Sequence, residues 1–270
     1  EKSSIFNLSN LEDIFDNNII KDIRDISNSD LPKMDIDVVI HLAAQPLVKT
    51  SYDFPVETFQ TNVIGTLNVL ELTKKLKPKA TLIITTDKVY KNTSKKSGYV
   101  ESDPLGGSDP YSASKAAAEE FCVAFHNTYG LPVINTHTMN VFGERQDPEK
   151  FVPMTIRKIM AGETVFIHSD QTCTKSSSRF YIHARNVAAA VLFILENGKV
   201  GEKYNIAGEK ELTNLEVAIF IASVLGKPLD HVMVSPDKSD RPGVDMRYAL
   251  DDSKMKAMGW KMPMPLEGSL

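Results

Sequence analysis

A chain of 270 residues with 42% hydrophobic and 24% charged residues is long enough to bury one large core or two smaller ones. Its net charge of −4 leaves no basic footprint for nucleic acid, and no apolar run approaches the ~20 residues of a membrane span. The N-terminus does not resemble a signal peptide, and Cys122 and Cys173 have neither pairing nor metal-ligand spacing. Both are read as reduced thiols of a cytoplasmic protein, and no metal is expected.

Three short apolar runs rich in Val and Ile come in chain order: "IDVVIHLAA" (36–44), "ATLIITT" (80–86) and "LPVINTHTM" (131–139). Runs of this length fit strands buried on both faces, as in a parallel sheet. Between the first two, Val56, Phe59, Val63, Leu67 and Leu70 recur at helical spacing. Between the second and third, Asp109 and Pro110 open a helix that Gly130 closes, in the N-cap, N1 and C′ positions that each residue's backbone chemistry favours. Strands alternating with helices predict a Rossmann-type, doubly wound parallel α/β sheet.

From about Gly143 the pattern loosens. A helix is expected over 152–160, then a polar loop "HSDQTCTKSSS", a helix over 186–197 and a strand "KYNIA" over 203–207. A further helix opens at the capping box Thr213 to Glu216. The expected division is a dinucleotide-binding domain over 1–142, with 181–205 returning to it, and a smaller C-terminal substrate-binding lobe over 143–180 and 206–270.

Tyr111 and Lys115 stand at i, i+4 on the helix begun by Asp109, so both emerge on one face. A free tyrosine has a pKa of ~10, too high for a base at neutral pH, and a nearby cation lowers it by roughly one to three units. The pair follows a strand that ends in Thr86, Asp87 and Lys88, and another that ends in "HLAAQ". Ligands of open parallel sheets bind at the carboxyl ends of strands, so these groups converge on one crevice.

Beyond that geometry, the chain resembles extended short-chain dehydrogenase/reductases, specifically nucleotide-sugar 4,6-dehydratases. The matching stretches run in order from "DIRD" (22–25), "DVVIHLAAQPLV" (37–48), "TNVIGTLNVLE" (61–71) and "TTDKVYKN" (85–92) to "ESDPLGGSDPYSASKAAAE" (101–119). They continue through "NVFGERQ" (140–146), "RFYIHARNVAAAV" (179–191), "YNIAGEKELTNLEV" (204–217) and "RPGVDMRYALD" (241–251). The first half is most similar to CDP-glucose enzymes and the tail to dTDP-glucose enzymes, which usually carry histidine at Val244, so the nucleotide stays open between CDP, dTDP, UDP and GDP.

The resemblance implies that NAD oxidises the sugar at C4, that water is lost across C5 and C6, and that the hydride returns to C6. It assigns Tyr111 with Lys115 to the C4 hydroxyl, Thr86 to a hydrogen bond on the C4 oxygen, Asp87 to the acid at the C6 hydroxyl and Lys88 to the base at C5. For the cofactor it implies Asp22 and Ile23 at the adenine, Leu42, Ala43, Ala44 and Gln45 along the phosphates and ribose, and Thr61 with them. Gln45, Asn140, Arg179, Asn205, Arg241 and Tyr248 are implied as substrate ligands, with Asn62 and Thr66 orienting the site from behind. Cys122 and His126 are expected to face away from the substrate. A homodimer is implied by the family alone. No glycine-rich phosphate turn occurs in the sequence, and the simplest expectation is that a first βαβ unit precedes Glu1. A nucleotide-sugar 4-epimerase would share Tyr111, Lys115 and NAD without needing Asp87 and Lys88, and a catalytically silent nucleotide-binding protein is the third reading.

Overall fold

The computed structural model describes residues 19–31, 35–238 and 245–269. Its centre is an all-parallel sheet in the order β1–β2–β3–β7, made from Val38–His41, Ala80–Thr86, Val133–Thr138 and Lys203–Ile206. The expected strand over 36–44 is shorter at both ends. Asp37 faces solvent and pairs with Lys79, and the chain leaves the sheet after His41 to border a cavity.

The layers on either side follow from the alternation within β2. Ile83 packs with Leu70, Cys122 and Val133, under α3 (Gly65–Leu76) and α4 (Pro110–Tyr129). Leu82 packs on the opposite face with Ile134, Ile182 and Ile194, the last on α6 (Ala184–Asn197). Complete burial of side chains of this size contributes about 1.5–3 kcal/mol each. The remaining early helices are α1 (Val48–Asp53) and α2 (Pro55–Phe59). The helical pattern read from Val56 to Leu70 does not form one helix. A π turn over Gln60–Ile64 joins α2 to α3, as often happens where a side chain is re-aimed at a functional site.

A second cluster gathers Phe142, Ile159, Val165, Tyr181 and Val217. It is built from β4 (Asn140–Phe142), α5 (Phe151–Ala161), β5 (Val165–His168), β6 (Ser178–His183), β8 (Glu211–Thr213), α7 (Asn214–Leu225) and β9 (His231–Val234). Strand β6 pairs parallel to β4 and antiparallel to β8, while β5 pairs with β9. The capping box at α7 is present, with Thr213 and Glu216 each holding the other's backbone amide.

One expectation about the lobes is corrected. The stretch 206–270 does not stay in the second cluster. Tyr248 and Leu250 pack with Tyr90 and Tyr99 at the junction, and Met255 of α8 (Ser253–Ala257) and Trp260 fill the core beneath Leu82 and Ile134. Bulky apolar residues late in the chain complete the main sheet because α6 alone does not cover its face. No helix among the described residues is long and apolar enough to cross a membrane.

Candidate active site

A cavity of about 1030 Å³ opens at the carboxyl ends of β1 and β2 and runs between the two clusters. Strand β2 stops because Thr86 caps a single 3-10 turn, Asp87–Val89. The Thr86 hydroxyl donates to Asp87 Oδ1 at 2.8 Å, which aims the carboxyl along the strand end. Thr86, Asp87 and Lys88 all line the cavity. Burial raises the pKa of Asp87 and Asp245 adds to that, while the Thr86 hydrogen bond and the charges of Lys88 and Arg179 oppose it. Burial outweighs the rest, so the Asp87 carboxyl is a weaker acid than a free aspartate.

Helix α4 is fixed at its start by Asp109, whose carboxylate accepts from the Ser112 amide at 2.9 Å and its hydroxyl at 2.7 Å. It ends at Gly130, left-handed at φ 65°. The intervening turns carry Tyr111 and Lys115 to the cavity wall. Lys115 donates to the Ile84 carbonyl at 2.9 Å, and burial pushes its ammonium down to about 8, with Cys122 and Glu119 acting the other way. Burial also lifts the Tyr111 phenol above its ordinary range; a hydrogen bond to Thr86 opposes this, and Asp87 and Asp109 reinforce it. The predicted lowering of Tyr111 therefore needs positive charge beyond what surrounds it here.

Asn62, delivered by the π turn, ties the early loop to α4. Its side-chain oxygen accepts from the Gln45 amide at 2.7 Å and its nitrogen donates to Ser114 Oγ at 2.9 Å. Thr66 meets buried His41 at 3.0 Å, which burial and Lys115 hold down at about 4 and hence uncharged. Neither Asn62 nor Thr66 is part of the cavity wall, and both make these contacts behind it.

The remaining implied residues divide. Leu42, Ala44, Asn140 and Arg179 line the cavity, while Ala43 and Thr61 lie outside its wall. Gln45 spends its side-chain amide on Thr58 and on the Leu47 backbone, at 2.8 and 2.6 Å, so it shapes the loop rather than facing a ligand. Asp22 accepts from Arg24 at 2.6 Å, and that hydrogen bond holds its carboxyl down at about 2. Ile23 packs so closely on α3 that a methyl on Gly65 would come within 2.6 Å of it. Asn68, which the pattern did not single out, pins this segment by donating to the carbonyls of Ile23 and Arg24.

Two substrate assignments are corrected. Asn205 is completely buried and bridges Tyr90, His137 and the Tyr99 carbonyl. Tyr248 is buried too, donating to the Tyr90 carbonyl at 3.2 Å with its ring beside Lys88. Polar tips on strand and junction residues here satisfy the interior, so neither reaches the cavity. Arg241 lies outside the described residues. Motif spacing also overlooked Glu119, four residues after Lys115, whose buried carboxylate meets His137 at 2.8 Å and Lys203 at 2.7 Å. Arg157, Phe166, Tyr181 and Asn214 also line the cavity, and none of them was singled out as a site residue from the sequence.

The sequence profile of the NAD dependent epimerase/dehydratase family matches residues 2–207. The chain belongs to that family. A dTDP-glucose 4,6-dehydratase of Haemophilus influenzae is 36% identical over 278 residues, covering 96% of this chain and 79% of its own. The crystal structure of a Bacillus anthracis dTDP-glucose 4,6-dehydratase with NAD superposes with TM-score 0.80 at 32% identity, over 97% of this chain and 81% of that one. A Bacillus cereus UDP-glucuronic acid 4-epimerase in complex with UDP-glucuronic acid and NAD reaches TM-score 0.85 at 25% identity, over 97% and 82% of the two chains. Family membership accounts for the parallel sheet and for a ligand cavity at its carboxyl ends.

Proposed function

We propose that this chain is an NAD-dependent nucleotide-sugar 4,6-dehydratase, converting an NDP-glucose to NDP-4-keto-6-deoxyglucose. One observation carries the reading: Asp87, a carboxyl that burial makes a weaker acid than a free aspartate, stands beside Lys88 on the same cavity wall as Tyr111. Removing water from C5 and C6 needs an acid at the C6 hydroxyl, and inversion at C4 does not.

The cavity suits the nicotinamide half of NAD. Lys115 has three donor hydrogens and gives one to Ile84, leaving donors for ribose hydroxyls, and Ala44 presents little bulk. Leu42, Ala43, Ala44 and Thr61 would follow the rest of the cofactor, with Gln45 holding their loop in shape, and Asp22 and Ile23 would border its adenine. The chemistry supplied by bound NAD is hydride acceptance from C4 and hydride return to C6.

With the positive charge that a bound nicotinamide would bring beside its phenol, Tyr111 takes the C4 hydroxyl proton, Thr86 holds the C4 oxygen, Asp87 gives its proton to the departing C6 hydroxyl, and Lys88 handles the C5 proton. Asn140 and Arg179 hold the substrate, the guanidinium matching phosphate oxygens. The division of labour follows the two clusters, cofactor on the main sheet and nucleotide sugar toward the second. A homodimer is supported by exposed Val56, Phe59 and Ile64 near exposed Phe121 of α4. Free Cys122 and Cys173 agree with a cytoplasmic site.

The 4-epimerase reading is favoured by the close fold likeness to the Bacillus cereus enzyme. Incubating the full-length protein with NAD and a panel of nucleotide-glucoses separates the two. Loss of one water from one substrate supports the dehydratase and names its nucleotide; an isomer of unchanged mass sinks it.

A further inference from the structure

The residues from Asp245 to Leu250 run along the junction and are fastened on both sides. Ser178 donates its amide to the Met246 carbonyl at 2.9 Å, Arg247 holds Glu211 through Nε at 2.8 Å, and Tyr99 donates to the Ala249 carbonyl at 2.8 Å. Arg179 donates to the carbonyls of Asp245 and Met246. The backbone of Asp245 is therefore held before its side chain is considered.

That side chain goes to Lys88. Asp245 Oδ2 lies 2.7 Å from Lys88 Nζ, and Oδ1 accepts from Asn92 Nδ2 at 2.8 Å. Both partners are nearly buried, with 13% and 11% of their side-chain surface exposed. The next carboxylate, Asp109 Oδ2, stands 3.7 Å away, beyond a hydrogen bond, and the Tyr248 ring lies 5.4 Å from the nitrogen. An ammonium has three donors and no lone pair, so Lys88 in this contact cannot accept a proton. Asp245 is the group in hydrogen-bond contact that can relieve it of one.

We infer that Asp245 is the positioning residue that turns Lys88 into the C5 base, by taking its proton across their contact. The inference rests on the dehydratase reading. When a substrate closes the cavity, loss of water penalises two charges more than a neutral pair. The Lys88 Nζ–H bond breaks and an Asp245 Oδ2–H bond forms. The free amine then takes the C5 proton, and the C5–H electron pair passes to the C4 oxygen as an enolate. That pair returns to form C5=C6 as the C6–O bond breaks, and the proton from Asp87 leaves with the oxygen as water. Once C6 is reduced, Lys88 gives its proton to C5 and recovers the one held by Asp245.

The test is Asp245→Asn in the full-length protein with NAD and the nucleotide-glucose that the wild type dehydrates. The amide keeps the shape and cannot take the proton. Water loss should fall about 10²-fold or more, the loss of a general base, with KM unchanged. Reduced nicotinamide should accumulate by absorbance, and solvent deuterium should no longer enter C5. Asp245→Glu should restore part of both. Equal loss of oxidation and elimination, or wild-type deuterium entry in Asp245→Asn, overturns the relay while leaving the dehydratase intact. If Asp245→Asn does not fold, Asp245→Glu decides: its altered reach must slow elimination more than oxidation, and equal slowing overturns the relay. A wild type that yields only an isomer removes the reading and the relay together.

Discussion

The ammonium of Lys115 donates to the main-chain carbonyl of Ile84 at 2.9 Å, across the gap between α4 and the last residues of β2. The contact aims the side chain at the cavity, and it does so at the expense of hydration. Burial pushes Lys115 down to about 8 from 10.5. Below about pH 8 the folded protein carries a buried ammonium; between 8 and 10.5 the unfolded chain binds more protons, so stability rises with pH across that window. Lys115→Met should abolish this rise in thermal melts. At neutral pH it should stabilise the fold by up to roughly 3 kcal/mol while removing activity. A variant less stable than wild type at pH 7 would contradict this.

Asp87→Asn tests the acid. It should cut water loss about 10²–10⁴-fold, as expected for a missing general acid, while oxidation at C4 survives as reduced-nicotinamide absorbance. Loss of both steps together would return Asp87 to a purely structural place.

Glu119 gives an acid-side prediction. Burial acts to raise its carboxyl, but His137 and Lys203 hold it at about 2, against 4.5 for a free glutamate. Its stabilisation is therefore complete above about pH 4.5 and lost as pH falls toward 2. Glu119→Gln should flatten that limb of an acid-unfolding curve, and Glu119→Ala should cost about 3–5 kcal/mol by stranding buried partners. An unchanged acid limb in the Gln variant would refute the assignment.

Gly107, in the "PLGG" stretch before α4, is required by close approach. A methyl there would lie 2.2 Å from the Ala113 nitrogen and from the Ser112 carbonyl carbon, both main-chain atoms that cannot step aside. Gly107→Ala should cost about 1–3 kcal/mol or more and displace Tyr111 with the helix start, lowering kcat as well as melting temperature. Wild-type melting would show that the loop yields freely.

Much of this architecture was legible because local chemistry decided it. Strand β2 spans the run read as "ATLIITT", and Asp109, Pro110 and Gly130 bound α4 as their backbone preferences dictate. The convergence of Thr86, Asp87, Tyr111 and Lys115 followed from strand ends and one helical turn. What escaped was set by distance along the chain. Asp245 meets Lys88 across 157 positions, and nothing in either neighbourhood encodes the pairing. Asn205 and Tyr248 carry polar tips that suit a phosphate or a buried network equally well, and only packing chose the network. The π turn was hidden because helical spacing of apolar residues survives one inserted position.

The placement of Met255 and Trp260 beneath β2 and β3 has a consequence for biosynthesis. A polypeptide leaving the ribosome presents strands from residue 80 onward long before the residues that cover one face of their sheet. That face, with Ile182 and Tyr204 on it, is covered only by α6 until the segment around residue 260 emerges, so the main sheet cannot complete its core before nearly the whole chain has been made.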